Sequence, residues 1–143
     1  MKFKNLLSFS CLWLLVTGLV MAQRPTTLYV DANYTGGSSD GSESAPYTTI
    51  RAALDYRGVT LGLTGMVSDE RILVRNGVYA PDSTEMIFLT SANGGKDDYW
   101  FTLEAEDSVY INGANLYNKK FASMIAVTTA AKNVRVKGFH LYG

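Results

Sequence analysis

Cysteine occurs once in the 143 residues, at Cys11, inside an apolar stretch near the start. The remainder of the chain therefore has no disulfide to lean on. A lipid-modified cysteine would stand at the end of such a stretch, so the position of Cys11 speaks against a lipoprotein. Histidine is equally scarce, with His140 alone, and the sequence has no zinc-ligand spacing, nucleophile motif or phosphate-cradling loop. Lys119-Lys120 is the only basic doublet and reads as a solvated turn. Nucleic acid is excluded as a partner, because a phosphate backbone is bound by clustered Lys and Arg. Stability has to come from burial and repetition.

The chain opens with Lys2 and Lys4, runs apolar from Leu6 to Met21, and reaches small Ala22 before polar Gln23, Arg24 and Pro25. That order is the grammar of a secretory signal peptide cleaved after Ala22. The apolar run falls short of the roughly 20 residues that a spanning helix needs. The expected protein is secreted, periplasmic or displayed at the cell surface, and meets the membrane only in transit. Without Lys2 and Lys4 the balance of 13 basic and 13 acidic residues tips to the acidic side. Three regions are expected: 1–22 as signal peptide, 23–70 as an N-terminal strand, Gly/Ser-rich loop and cap helix, and 71–143 as repeating coils.

Nine tyrosines and frequent Gly and Ser favour strands and turns over long helices. The segment from Thr27 to Asp31 alternates as a strand, and the Gly, Ser, Asn, Asp and Pro of Ala32 to Tyr47 form a loop. Thr48 or Thr49 can cap a helix starting near Ile50, on which Ile50, Ala53 and Leu54 share a face. Gly58 to Ser68 fits neither period and reads as irregular or as a poor strand. Ile72 to Val74 is a strand that meets a corner at Asn76-Gly77 and returns at Val78-Tyr79. Met86 to Leu89 and Trp100 to Ala105 read as further strands.

The segment "VYINGANLY" from Val109 to Tyr117 matches "VRVKGFHLY" from Val134 to Tyr142 at an offset of 25. Val109 with Ile111, and Val134 with Val136, would point inward, Gly113 and Gly138 would turn a corner, and Leu116 and Leu141 would re-enter the core. A recurrence of this length is the mark of solenoids, propellers and arrays. The blocks "YVDANYTGGSSDGSESAPYTTIRAAL" and "ILVRNGVY", with the "VxIxG" units, resemble the right-handed parallel β-helix proteins of the pectate-lyase-like superfamily. The resemblance implies an all-β solenoid with a short N-terminal capping helix, which would be truncated at Gly143.

Members of that superfamily include exported polysaccharide lyases, in which a Lys or Arg base works beside calcium. The resemblance thus implies a carbohydrate-related protein, lyase-like or glycan-processing, acting on extracellular polysaccharide, with its catalytic coils missing here and this chain inactive by itself. A non-catalytic surface, adhesion or glycan-binding protein is the alternative, and whether the protein is an enzyme stays open. Tyr99 and Trp100, beside Asp97 and Asp98, suit stacking on a sugar ring. His140 would project from the outer surface with Arg135 and Lys137, where ligands bind such folds. Asp31, Asn33 and Asp40 around the glycine-rich loop are candidate oxygen ligands for calcium, although Asx turns account for them equally well.

Overall fold

A computed structural model describes residues 23–81, 86–114 and 123–143. The expected signal peptide, Leu116, Tyr117 and Lys119-Lys120 lie outside the described residues. The first strand, β1 (Thr27–Val30), buries Leu28 and Val30 and half-covers Thr27 and Tyr29. The helix α1 (Ile50–Asp55) starts where Thr49 Oγ1 accepts the Ala52 N–H at 3.1 Å, and it buries Ile50, Ala53 and Leu54. Its apolar spacing and its cap were both legible in the sequence. The helix then widens into a π-helical turn, Tyr56–Leu61, which ends at Gly62 with a φ of 60°. This turn replaces the irregular segment or poor strand expected there.

Strands β2 (Glu70–Val74) and β3 (Gly77–Tyr79) follow, then β4 (Ile87–Leu89) and the long β5 (Phe101–Asn112). Strand β6 (Ile125–Val127) has no counterpart in the sequence reading, and β7 (Val134–Tyr142) closes the described chain. Strand β5 fuses two segments that read separately. Its first half pairs with β2 and its second half with β3, because β2 and β3 are successive arms either side of the Arg75-Asn76 corner. Side chains clamp that corner: the Asn76 N–H donates to Glu106 Oε2 at 3.0 Å, and the Ser108 N–H donates to Asn76 Oδ1 at 2.8 Å.

The expected all-β, right-handed parallel β-helix is corrected here. The chain forms a small α/β-like domain with a mostly parallel five-stranded sheet, one short helix and a separate two-stranded pair, β4 with β6, and no closed solenoid is present among the described residues. The 25-residue match is not the structural register. Val134 lies opposite Phe101, and Val109 opposite Phe139, with a shift between Glu104 and Val109. Backbone pairing and inward packing decide register, and a nine-residue similarity specifies neither.

Inward rows run across the strands and form the core. Leu28, Ile72, Leu103 and Val136 are aligned in turn, with exposures of 3%, 0%, 0% and 38%. Val109 and Ile111 are buried as expected, whereas Val136 and Leu141 are exposed because no strand covers β7 among the described residues. Gly138 makes the expected corner: its φ is +85°, and a Cβ there would lie 2.8 Å from the Ala105 carbonyl oxygen. Only glycine takes that backbone conformation without strain.

Tyr79 ties the β1 end to the corner, its hydroxyl donating to the Arg75 carbonyl at 3.0 Å and accepting the Ala32 N–H at 3.2 Å. Burial pushes its phenol up to about 12. At neutral pH, Tyr79→Phe is expected to cost about 1–2 kcal/mol through the lost hydrogen bonds. As pH rises from 10 to about 12, Tyr79 stays protonated in the native state but ionises in the unfolded chain. The wild type therefore loses stability across that window and the phenylalanine variant does not. Urea titrations at several pH values should show the gap between them narrowing above pH 10, and a constant gap would contradict this assignment.

Candidate functional site

Strand alternation puts a second set of rows on the side of the sheet away from the core. Thr27, Arg71, Thr102 and Arg135 form one row across β1, β2, β5 and β7, and Leu73, Glu104 and Lys137 are aligned in the next. All of these but Leu73 line an open cleft of about 240 Å³, together with Thr26, Asp69 and Glu70. The Glu104 carboxylate lies between two cations, 2.9 Å from Lys137 Nζ and 3.6 Å from an Arg71 Nη. Arg71 Nε also donates to Thr27 Oγ1 at 3.1 Å.

Trp100 closes one end of this surface. Its backbone N–H donates to Asp69 Oδ1 at 2.8 Å, and the Arg135 guanidinium lies 4.2 Å from its ring centroid. Of the residues singled out in the sequence, Trp100 is therefore part of the surface and Tyr99 is its exposed neighbour. His140 is not brought to them. It lies in the other arm of β7, opposite Tyr110, with their rings stacked at 4.9 Å and 25° and Tyr142 edge-on to Tyr110 at 6.4 Å. Arg71, Thr102 and Glu104 were missed. The period-two pattern marks them as outward, but their meeting across β2 and β5 depends on register.

Asp31 Oδ1 accepts the Asn33 N–H at 2.8 Å, and Asp40 Oδ1 accepts the Ser42 N–H at 2.8 Å, so each carboxylate closes an Asx turn. Hydrogen bonds from Ser42 hold the Asp40 carboxyl below its ordinary value of 3.8. The other oxygen of Asp31 lies 3.6 Å from an Arg75 Nη. Among the described residues no group of three or more His, Cys, Asp or Glu side chains is placed to hold a metal ion.

Behind the sheet lies a buried ionic cluster that the sequence reading did not find. Glu70 occupies the inward side of β2 and meets Arg24 and Arg57. Arg57, on the π-helical turn, is 1% exposed, with Nε 3.0 Å from Glu70 Oε2 and Nη2 donating to the Gly94 carbonyl at 2.9 Å. Its guanidinium lies 4.1 Å from the Phe101 ring centroid, and Nη1 has no hydrogen-bond partner. Burial pulls the guanidinium down from 12.5 to about 10 while Glu70 opposes the shift, so it stays charged at neutral pH. Perturbed groups often mark active sites, but structural ion-pair networks perturb them too. This one is largely buried and joins the N-terminal segment, the π-helical turn and β2, so we read it as a structural clasp.

No protein-family model, curated protein or solved structure matches the chain. Among the described residues no helix is long and apolar enough to cross a membrane.

Proposed function

We propose that this is an exported polysaccharide-binding protein that holds a sugar chain along the outer face of its sheet. The observation carrying this reading is the open cleft in which Arg71, Arg135 and Lys137 lie side by side with Glu104 and three threonines, with the Trp100 ring against Arg135 at its end. Aromatic and guanidinium planes suit the apolar faces of sugar rings, while cations and hydroxyls suit their carboxylates and hydroxyl groups. Strand spacing of about 4.8 Å separates successive positions in a row, so ligands longer than one sugar would span several of them.

Binding is favoured over bond cleavage at this surface. Glu104 is held by two cations and Arg135 by an indole face, an arrangement suited to holding charge rather than to moving a proton. The apolar run from Leu6 to Met21, read as an export signal, supports the setting.

Isothermal titration of the purified protein with polygalacturonate and with a neutral glucan tests the proposal. Saturable binding to a polysaccharide is expected, without accumulation of unsaturated product, and Trp100→Ala or Arg135→Ala should weaken it by about tenfold, equivalent to about 1.4 kcal/mol. Absence of binding to either polymer, or wild-type affinity in both variants, would overturn it.

A further inference from the structure

We propose, on the reading of the outer face as a polysaccharide site, that its ligand carries an acidic group on every second sugar and lies across the strands with successive acidic groups on Arg71 and Arg135. The row of Thr27, Arg71, Thr102 and Arg135 crosses β1, β2, β5 and β7 in register, so hydroxyl and guanidinium alternate from strand to strand. Both arginines are exposed and both threonines partly buried. A sugar chain crossing the strands thus meets a hydroxyl, a cation, a hydroxyl and a cation in turn.

The cations left for a ligand are those of this row. Lys137 Nζ is 2.9 Å from one oxygen of Glu104, whereas an Arg71 Nη is 3.6 Å from the other oxygen of the same carboxylate. Arg135 rests on the Trp100 ring, and among the described residues no carboxylate pairs with it. Glu70 borders the cleft but is only 4% exposed, and it meets Arg24 and Arg57 on the inward side. Asp69 accepts the Trp100 N–H at the end of the surface. Arg71, Arg135 and Lys137 therefore stand against the carboxylates of Asp69 and Glu104, and the surplus of positive charge favours an acidic polymer.

Spacing narrows the class of polymer. Arg71 and Arg135 are two strands apart, about 10 Å, close to the length of one disaccharide in an extended chain. Thr102 lies between them and presents a hydroxyl, which suits the hydroxyls of a neutral sugar. Glu104 stands two residues further along β5 on the same face, about 7 Å away. An acidic sugar over Thr102 would bring its carboxylate towards Glu104 with no cation of the row beneath it. Polymers with an acid on every sugar therefore meet a like charge at the middle position, a repulsion that discriminates against them.

Isothermal titration at one ionic strength compares hyaluronan and galacturonate oligosaccharides of equal length. Hyaluronan carries a carboxylate on alternate sugars and oligogalacturonate on every one, so charge counting alone ranks oligogalacturonate first. The hyaluronan oligosaccharide is expected to bind about tenfold more tightly instead. Arg71→Gln and Arg135→Gln should each abolish that preference. Thr102→Lys, which supplies a cation at the middle position, should reverse the order with an unchanged circular dichroism spectrum. In the wild type, equal affinities, or tighter binding of oligogalacturonate or of a neutral gluco-oligosaccharide, would overturn the proposal and leave polysaccharide binding standing. So would a folded Thr102→Lys protein that keeps the wild-type preference. Binding of none of the three ligands would remove the polysaccharide reading as well.

Discussion

Glu70→Gln is expected to lower the unfolding free energy by about 3–5 kcal/mol, the usual effect of leaving a buried charge without its partner. Arg57 is 1% exposed and already has one Nη without a hydrogen-bond acceptor, so it has no route to water once the carboxylate is gone. Arg24, which also pairs with Glu70 and donates to the Leu61 carbonyl at 2.9 Å, would lose its anchor in the same step. The N-terminal segment and the π-helical turn should loosen together. Arg57→Met should cost much less, because it removes the orphaned donor and the desolvation penalty while Glu70 keeps Arg24. Urea unfolding followed by circular dichroism would check the order, and equal losses in the two variants would show that the Arg57 charge is not what Glu70 compensates.

Phe101→Ala should be similarly damaging, at about 3–5 kcal/mol for a fully buried aromatic side chain. Phe101 is 0% exposed, is aligned between Glu70 on β2 and Val134 on β7, and presents its ring to the Arg57 guanidinium at 4.1 Å. Its loss would open a cavity and also strip the apolar platform from a buried cation. The two effects are separable. In a cycle with Arg57→Met, a coupling of about 1–2 kcal/mol is expected for the desolvated cation–aromatic contact. Additive losses would confine the role of Phe101 to core packing. Because both positions lie behind the sheet, a folded Arg57→Met protein should bind polysaccharide as the wild type does, which separates the clasp from the outer cleft.

Local structure was largely legible in the sequence. The Thr49 cap, the buried face of Ile50, Ala53 and Leu54, the strand after Thr27, the corner at Asn76-Gly77 and the turn at Gly138 follow from side-chain spacing and backbone preference within a few residues. The inward setting of Val109 and Ile111 was legible for the same reason, since alternation along a strand is a local property. Of the surface residues, Trp100 was identifiable as a large aromatic beside carboxylates.

What only the tertiary structure decided was which strands meet and in what register. The nine-residue repeat suggested stacking Val134 on Val109, but the chain pairs Val134 with Phe101 and shifts register before Val109, because burial of Phe101 and Leu103 beside β2 fixes the first half of β5. The row of Arg71, Thr102 and Arg135 is a product of that register, as is the burial of Glu70, a strand-end carboxylate whose partners come from Arg24 and the turn at Arg57. Alternation along one strand is set by its own backbone, whereas contacts between strands are set by the lowest free energy of the whole packed sheet.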